Sequence, residues 1–302
     1  MVKDIESLAI SRDKRVEILA KYGNILTSVW ETDYSLQKNI IDVEKTQSFI
    51  VKELHAKMDY DKRLSTAFGA SGKSVRGKQG GLSIFPADIC KKLVLLYSEE
   101  KDTVLDPCAG HNSRMQITWQ LGRNYIGYDV SKEFMEFNRF VKTTLLGKNP
   151  DRPRLFRESP ATITLREQSS EKMVEEDTSI DFVFTSPPYW DIEFYGEELE
   201  QLGYRKTYGQ FLNGLSKVIN ESYRVLKPNK YCVYNVNDFR KDGKFYCYHA
   251  DLIELALGAG FRLHDIIILR WNASLGSCFA TQIIERKSTA KAHEYLLVFK
   301  KV

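Results

Sequence analysis

Cysteine is scarce in this chain, 5 of 302 residues, and proline hardly commoner at 8. The five thiols (Cys90, Cys108, Cys232, Cys247, Cys278) are odd in number and widely spaced, with neither a C-x-x-C pair nor a nearby histidine pair. That pattern excludes a disulfide framework, gives no spacing-defined metal site, and fits a reduced cytoplasmic compartment. No apolar run approaches the roughly 18 residues of a membrane span, and Met1 to Ile10 carries acids where a secretory leader would carry a basic head and apolar core. A soluble protein without a membrane partner is expected. Charge of one sign is lacking too: 44 Lys plus Arg against 40 Asp plus Glu leave a formal +4, too little to demand a polyanionic partner. With 43% hydrophobic and 28% charged residues, the composition excludes a mainly disordered chain, a collagen-like repeat and a coiled coil.

What is present changes character along the chain. Residues 1 to about 61 are charged, with apolar positions such as Val16, Leu19, Ala20 and Ile50, Val51, Leu54 at helical spacing, and they predict helices packing on a core. From Lys62 to Gly81 the chain holds five basic residues, no acid, and much Gly and Ser, which reads either as a phosphate-contacting arm or as a solvated linker. The expected division is therefore a helical extension with its basic loop over 1–80 and a larger domain over 81–302. In the latter, apolar or β-branched runs at Thr103 to Asp106, Tyr125 to Asp129, Ile180 to Thr185, Tyr231 to Val236 and Asp265 to Arg270 read as strands. Helices are expected over Ala87 to Ser98, Ser113 to Leu121, Lys132 to Leu146, Tyr208 to Leu226 and His249 to Ala259. This alternation predicts an α/β fold with a wound, mostly parallel sheet. A final strand, His293 to Lys300, follows without an intervening helix and should run antiparallel to its neighbours.

Ligands of open α/β sheets bind at the carboxyl ends of the strands. The first such end reads Asp106-Pro107-Cys108-Ala109-Gly110, and 19 residues after Gly110 comes Asp129, an acid able to accept hydrogen bonds from both hydroxyls of a ribose. The loop lacks G-x-G-x-x-G, so a pyrophosphate is a poor guest, and Asp106 would repel phosphate but could orient a cation. S-adenosylmethionine meets these demands better than a dinucleotide. The alternative for either aspartate is a helix cap or a turn former. The most specific segment is Thr185-Ser-Pro-Pro-Tyr-Trp190, where an apolar strand stops in two prolines that cannot extend it. The Ser186 oxygen and the Pro187 carbonyl, held stiff by Pro188, can each accept one N–H of a heterocycle's amino group. Tyr189, with Trp190 a further candidate, offers a face to stack upon.

In these motifs, over roughly Gly81 to Val302, the chain resembles the S-adenosylmethionine-dependent DNA amino-methyltransferases, which modify N4 of cytosine or N6 of adenine. Ser83-Ile-Phe85-Pro86 before a helix is similar to their cofactor-contacting motif. Asp106 to Gly110 resembles their cofactor loop, Asp129 their ribose acid, and Thr185 to Trp190 their catalytic motif; Arg224-Val-Leu-Lys-Pro228 is like the segment that follows. The order of motifs is that of the family's gamma arrangement. The resemblance implies a Rossmann-like methyltransferase sheet, S-adenosylmethionine as cofactor with Thr185 beside it, and a base flipped out of DNA. It also implies restriction-modification settings, as monomer or homodimer. The serine form of the tetrad leans toward N4-cytosine; N6-adenine, RNA-base and protein-glutamine methylation are the alternatives. The chain departs from the family at Cys108 and at His111-Asn112-Ser113, where Asn112 can still adopt the left-handed turn. Glu158 and Ser159 are the nearest candidates for the acid-bearing motif that should follow the third strand. Target recognition would fall to the Lys62 to Gly81 arm, Asp191 to Tyr208, or Trp271 to His293.

Overall fold

The computed structural model describes residues 21, 26–32, 85–146, 161–192, 198–271, 284–285, 287–289 and 291–302. In chain order the elements are β1 (Val29–Glu31), α1 (Ala87–Tyr97), β2 (Thr103–Asp106), α2 (Ser113–Gln120), β3 (Asn124–Asp129), α3 (Lys132–Leu146), β4 (Ile163–Glu167) and β5 (Ile180–Thr185). After a 3-10 turn at Leu202–Tyr204 come α4 (Tyr208–Val225), β6 (Leu226–Val236), a hairpin of β7 (Phe239–Lys241) and β8 (Lys244–Tyr246), α5 (Tyr248–Gly258), β9 (Arg262–Arg270) and β10 (His293–Lys300). Eight strands form one sheet in the order β1-β9-β10-β6-β5-β2-β3-β4.

The sheet is parallel except at β10, which runs antiparallel to both β6 and β9, as expected for the last strand. β5 is buried at all six positions because strands and helices cover it on every side. Its side chains alternate between two cores. Val183 faces Phe211, Leu215 and Leu252 from α4 and α5, while Phe182 and Phe184 face Ile89, Leu93 and Val94 of α1. Each such side chain, fully removed from water, contributes about 1.5–3 kcal/mol before entropy is counted. α4 begins where the Thr207 side chain accepts a hydrogen bond from Gln210 N, and it buries Phe211, Leu215, Val218, Ile219 and Val225 along one stripe. β10 is pinned at its end by Lys301, whose Nζ donates to the carbonyls of Tyr223 and Leu226, both at 2.7 Å.

Three expectations need correction. The segment before residue 62 is not helical throughout: Val29–Glu31 is a strand, parallel to β9 at the sheet edge, because Trp30 turns into the α1 core while its neighbours face out. The remaining residues of 1–80 that carried the helical expectation and the basic arm lie outside the described residues. β4 went unread because only Ile163 of its five residues is buried, so no apolar run marks it. β6 begins five residues earlier than expected, across Pro228, whose stretch is partly exposed. Among the described residues no helix is long and apolar enough to cross a membrane.

Candidate active site

β5, β2 and β3 lie side by side, and their carboxyl ends bring the two sequence motifs together. The loop after β2 is fastened from three directions. Cys108 N donates to Thr185 Oγ1 (3.0 Å) at the end of β5, Ala109 N donates to the Tyr128 carbonyl (2.7 Å) of β3, and Asn138 Nδ2 of α3 donates to the Gly110 carbonyl (2.9 Å). Gly110 turns the chain at φ +46°, a left-handed value that a side chain resists. Its N–H donates to Asp129 Oδ2 (2.8 Å), and Ser131 N donates to Asp129 Oδ1 (2.8 Å). Burial pushes the Asp129 carboxyl up to about 6 against those two hydrogen bonds. Each of its oxygens has taken one backbone donor and keeps capacity for another, so the residue fits a ribose diol.

Asp106 is turned inward. Its carboxylate, fully buried, accepts from Arg114 Nε (2.7 Å), Tyr125 OH (2.9 Å) and Thr185 Oγ1 (2.7 Å). The same Arg114 donates through Nη2 to the carbonyls of Cys108 (2.7 Å) and Ala109 (3.1 Å). Asp106 thus orients the loop after β2 through Arg114, and its carboxylate is not free to face a cationic guest. Phe85 is also a wall from within: its ring packs edge-on against Phe184 (5.0 Å) and 5.7 Å from the Arg114 guanidinium, while Pro86 opens α1. Burial drives the Cys108 thiol well above its ordinary range, so no thiolate nucleophile stands here. His111, stacked on Phe137, is held neutral by burial and the nearby Arg114, down to about 3.

The tetrad stands at the end of β5. Ser186 donates its hydroxyl proton to the Asn235 carbonyl (3.4 Å) and accepts from Asn235 Nδ2 (3.3 Å), at the end of β6. Asn235 Nδ2 also donates to Glu294 Oε2 (2.8 Å) of β10, and Tyr189 OH donates to Glu294 Oε1 (3.3 Å). Glu294 is a carboxylate only 9% exposed. The Pro188 carbonyl accepts from Tyr248 OH (3.4 Å), and the Tyr189 ring meets Tyr248 edge-on at 6.1 Å. Among the described residues no donor takes the Pro187 carbonyl. Beyond this, Asp238 accepts from His249 through both backbone N (3.1 Å) and Nδ1 (2.7 Å) and pairs with Lys291 (3.4 Å). Burial alone would raise the Asp238 carboxyl, but these donors hold it below its ordinary value.

The structure therefore joins Asp106 to Gly110, Asp129 and Thr185 into one crevice, with Ser186 to Tyr189 on the neighbouring strand. Trp190 is not part of the stacking face: it is 7% exposed, donates Nε1 to the Arg205 carbonyl (2.8 Å) and packs on Tyr208 and Tyr246. Asn112 is not left-handed either; at φ −65° it opens α2, because Gly110 has already made the turn. Glu158, Ser159 and most of Trp271 to His293 lie outside the described residues. Sequence reasoning missed Arg114, Asn235 and Glu294. Arg114 left one trace, a cation in the first turn of a helix, where the dipole disfavours it.

A family model for DNA methylases of the N6/N4 type matches residues 12–140 and 180–302. The Type II methyltransferase M.Cfr9I of Citrobacter freundii is 26% identical over 146 residues, 41% of this chain and 48% of that protein. M.MthZI of Methanothermobacter thermautotrophicus is 27% identical over 143 residues, 41% of this chain and 40% of that protein. The chain thus spans about half or less of the length of these relatives. A solved S-adenosylmethionine-dependent methyltransferase of Methanosarcina mazei superposes with a TM-score of 0.48 at 13% identity, over 73% of this chain and 99% of that one. The two segments matched by the family model carry the crevice, Asp106 to Asp129, and the tetrad, Thr185 to Tyr189, and the chain belongs to the DNA methylases of the N6/N4 type, whose methyl donor is S-adenosylmethionine.

Proposed function

We propose that the protein transfers a methyl group to the exocyclic amine of a base flipped out of double-stranded DNA, and that the acceptor is N4 of cytosine. The observation that carries this reading is the hydrogen bonding of Ser186. The Asn235 backbone carbonyl lies 3.4 Å from the Ser186 oxygen, and with the hydroxyl proton turned toward it that oxygen meets a substrate as an acceptor. The Pro187 carbonyl beside it is a second acceptor, and two acceptors side by side match the two hydrogens of an amine. An amine conjugated into a ring is a poor nucleophile, and acceptors on both its hydrogens favour the pyramidal, attacking geometry. Tyr189, its hydroxyl tied to Glu294, holds the ring by stacking. S-adenosylmethionine supplies an electrophilic sulfonium methyl when bound. Asp129 takes its ribose, and the loop from Asp106 to Gly110, with Phe85, Pro86 and Thr185, shapes the crevice that aligns it by proximity. A base inside a duplex is out of reach of this crevice, so flipping is part of the reaction.

Serine at the head of the tetrad supports cytosine over adenine, since the N6-adenine form of the motif usually presents Asp or Asn there. The test is nucleoside mass spectrometry of DNA incubated with the protein and isotopically labelled cofactor. Label in N4-methylcytosine is expected. Label on adenine N6 overturns the cytosine assignment, and label on cytosine carbon 5, or on protein glutamine with none on DNA, overturns the whole reading.

A further inference from the structure

Immediately after β6, two residues beyond the strand that carries Asn235, the chain makes the β7–β8 hairpin before α5 begins. Its turn is Asp242-Gly243, both left-handed at φ +50° and +76°, the form that matches the twist of a two-stranded ribbon. The pairing Phe239↔Tyr246, Arg240↔Phe245, Lys241↔Lys244 gives it two faces. On the inner face Phe239 and Tyr246 stack at 5.0 Å, Tyr246 lies 5.7 Å from the Trp190 ring, and Lys241 Nζ sits 4.5 Å over that same ring and pairs with Asp191. The ribbon is therefore bolted to the residue next to Tyr189.

The outer face is different. Arg240 and Phe245 are exposed, the guanidinium lies 4.8 Å from the Phe245 ring centre, and Lys291 Nζ reaches the same ring at 4.9 Å. Beside the turn Lys244, which shares the inner face with Lys241 and Tyr246, is exposed as well, its Nζ 4.9 Å from the Tyr246 ring centre. Neither Arg240 nor Lys244 has a carboxylate partner among the described residues. Holding cations over rings fixes their position without neutralising them, which leaves their charge available to an anion from outside. Both cations remain exposed on the ribbon, Arg240 on its outer face and Lys244 beside its turn.

We infer that the β7–β8 hairpin grips the DNA backbone next to the flipped base, with Arg240 and Lys244 on phosphates. This rests on the DNA reading above and adds an element that base chemistry alone does not call for. The test is duplex-DNA binding by the full chain, measured across salt, for wild type, for Arg240→Gln with Lys244→Gln, and for a control with Lys101→Gln and Arg262→Gln. The control residues are exposed cations before β2 and at the start of β9, at the end of the sheet opposite the carboxyl end of β6 from which the hairpin springs. Removing one cation from a phosphate lowers the slope of log affinity against log salt by about 0.9, about eightfold in affinity at 0.1 M salt. The hairpin variant should therefore lose close to two units of slope and raise the KM for DNA, while the control keeps the wild-type slope. A hairpin variant with the wild-type slope, or a control that loses as much, overturns the inference and leaves the methyltransferase reading standing. A wild-type protein that neither binds nor labels DNA overturns both.

Discussion

Replacing Arg114 with methionine tests how the cofactor loop is held. The guanidinium side chain is 7% exposed and Asp106 not at all, so the change leaves a buried carboxylate without its countercharge. Truncating one partner of such a pair costs about 3–5 kcal/mol. Asp106 keeps its donors Tyr125 and Thr185, each worth about 1 kcal/mol net, which points to the lower end, about 3 kcal/mol. Urea unfolding should show that loss, and adding Asp106→Asn to Arg114→Met should recover part of it by removing the stranded charge. Cofactor affinity should behave differently. The carbonyls of Cys108 and Ala109 lose their donor in both variants, so calorimetry should find weakened S-adenosylmethionine binding in the double variant as well. A loss under about 1 kcal/mol for Arg114→Met, or a double variant no more stable than the single one, would refute the reasoning.

Asp129, raised to about 6 by burial, binds a ribose best when ionised, so cofactor affinity should fall below about pH 6, up to tenfold per unit, and Asp129→Asn should bind weakly with a flat pH profile. The same raised value means that the stability this group contributes to the cofactor-free protein is present below about pH 4 and lost as pH climbs through 6, visible as a drop in urea midpoint that Asp129→Asn abolishes. Ser186→Ala and Tyr189→Ala should depress methyl transfer while calorimetric cofactor affinity stays near wild type; the Tyr189 stacking face is worth ~1–3 kcal/mol. Equal losses in both quantities would place these residues in the cofactor pocket instead. Asn235→Ala removes the Nδ2 donor to the Ser186 oxygen, leaving the backbone carbonyl that faces its proton, and should lower kcat about tenfold with little change in KM for DNA, the worth of one oriented hydrogen bond. A change confined to KM would assign Asn235 to binding.

Much of the sheet is legible because its central strands are continuous apolar runs. Ile180 to Thr185 cannot be solvated on either side, and Thr103 to Asp106 is nearly as buried, so both strand and site could be read from composition at a strand end. The edges are another matter. β4 has one buried residue, β1 has three residues in all, and the three-residue hairpin strands mix aromatics with cations, so local pattern has nothing to report there. The site divides in the same way. Loop and tetrad are each a contiguous segment, whereas Asn235 reaches Ser186 from 49 residues away and Glu294 reaches Tyr189 from 105. Such partners are defined by strand order, and strand order is a property of the whole sheet. Asp106 shows the converse limit: the motif located it, but only the fold shows that its charge is turned to Arg114.

The antiparallel insertion of β10 between β6 and β9 also sets the order in which the site is made. A chain emerging from the ribosome exposes Tyr189 first and Glu294 105 residues later, about 5–20 s at ordinary rates of synthesis. During that interval β6 and β9 have no strand between them, and the Asn235 amide has no carboxylate to hold it. The nascent protein can thus close the crevice of Asp106 to Gly110, Asp129 and Thr185 well before the side that carries Ser186 and Tyr189 is finished. The active site matures in two instalments, and the second arrives with the strand that zips the sheet shut.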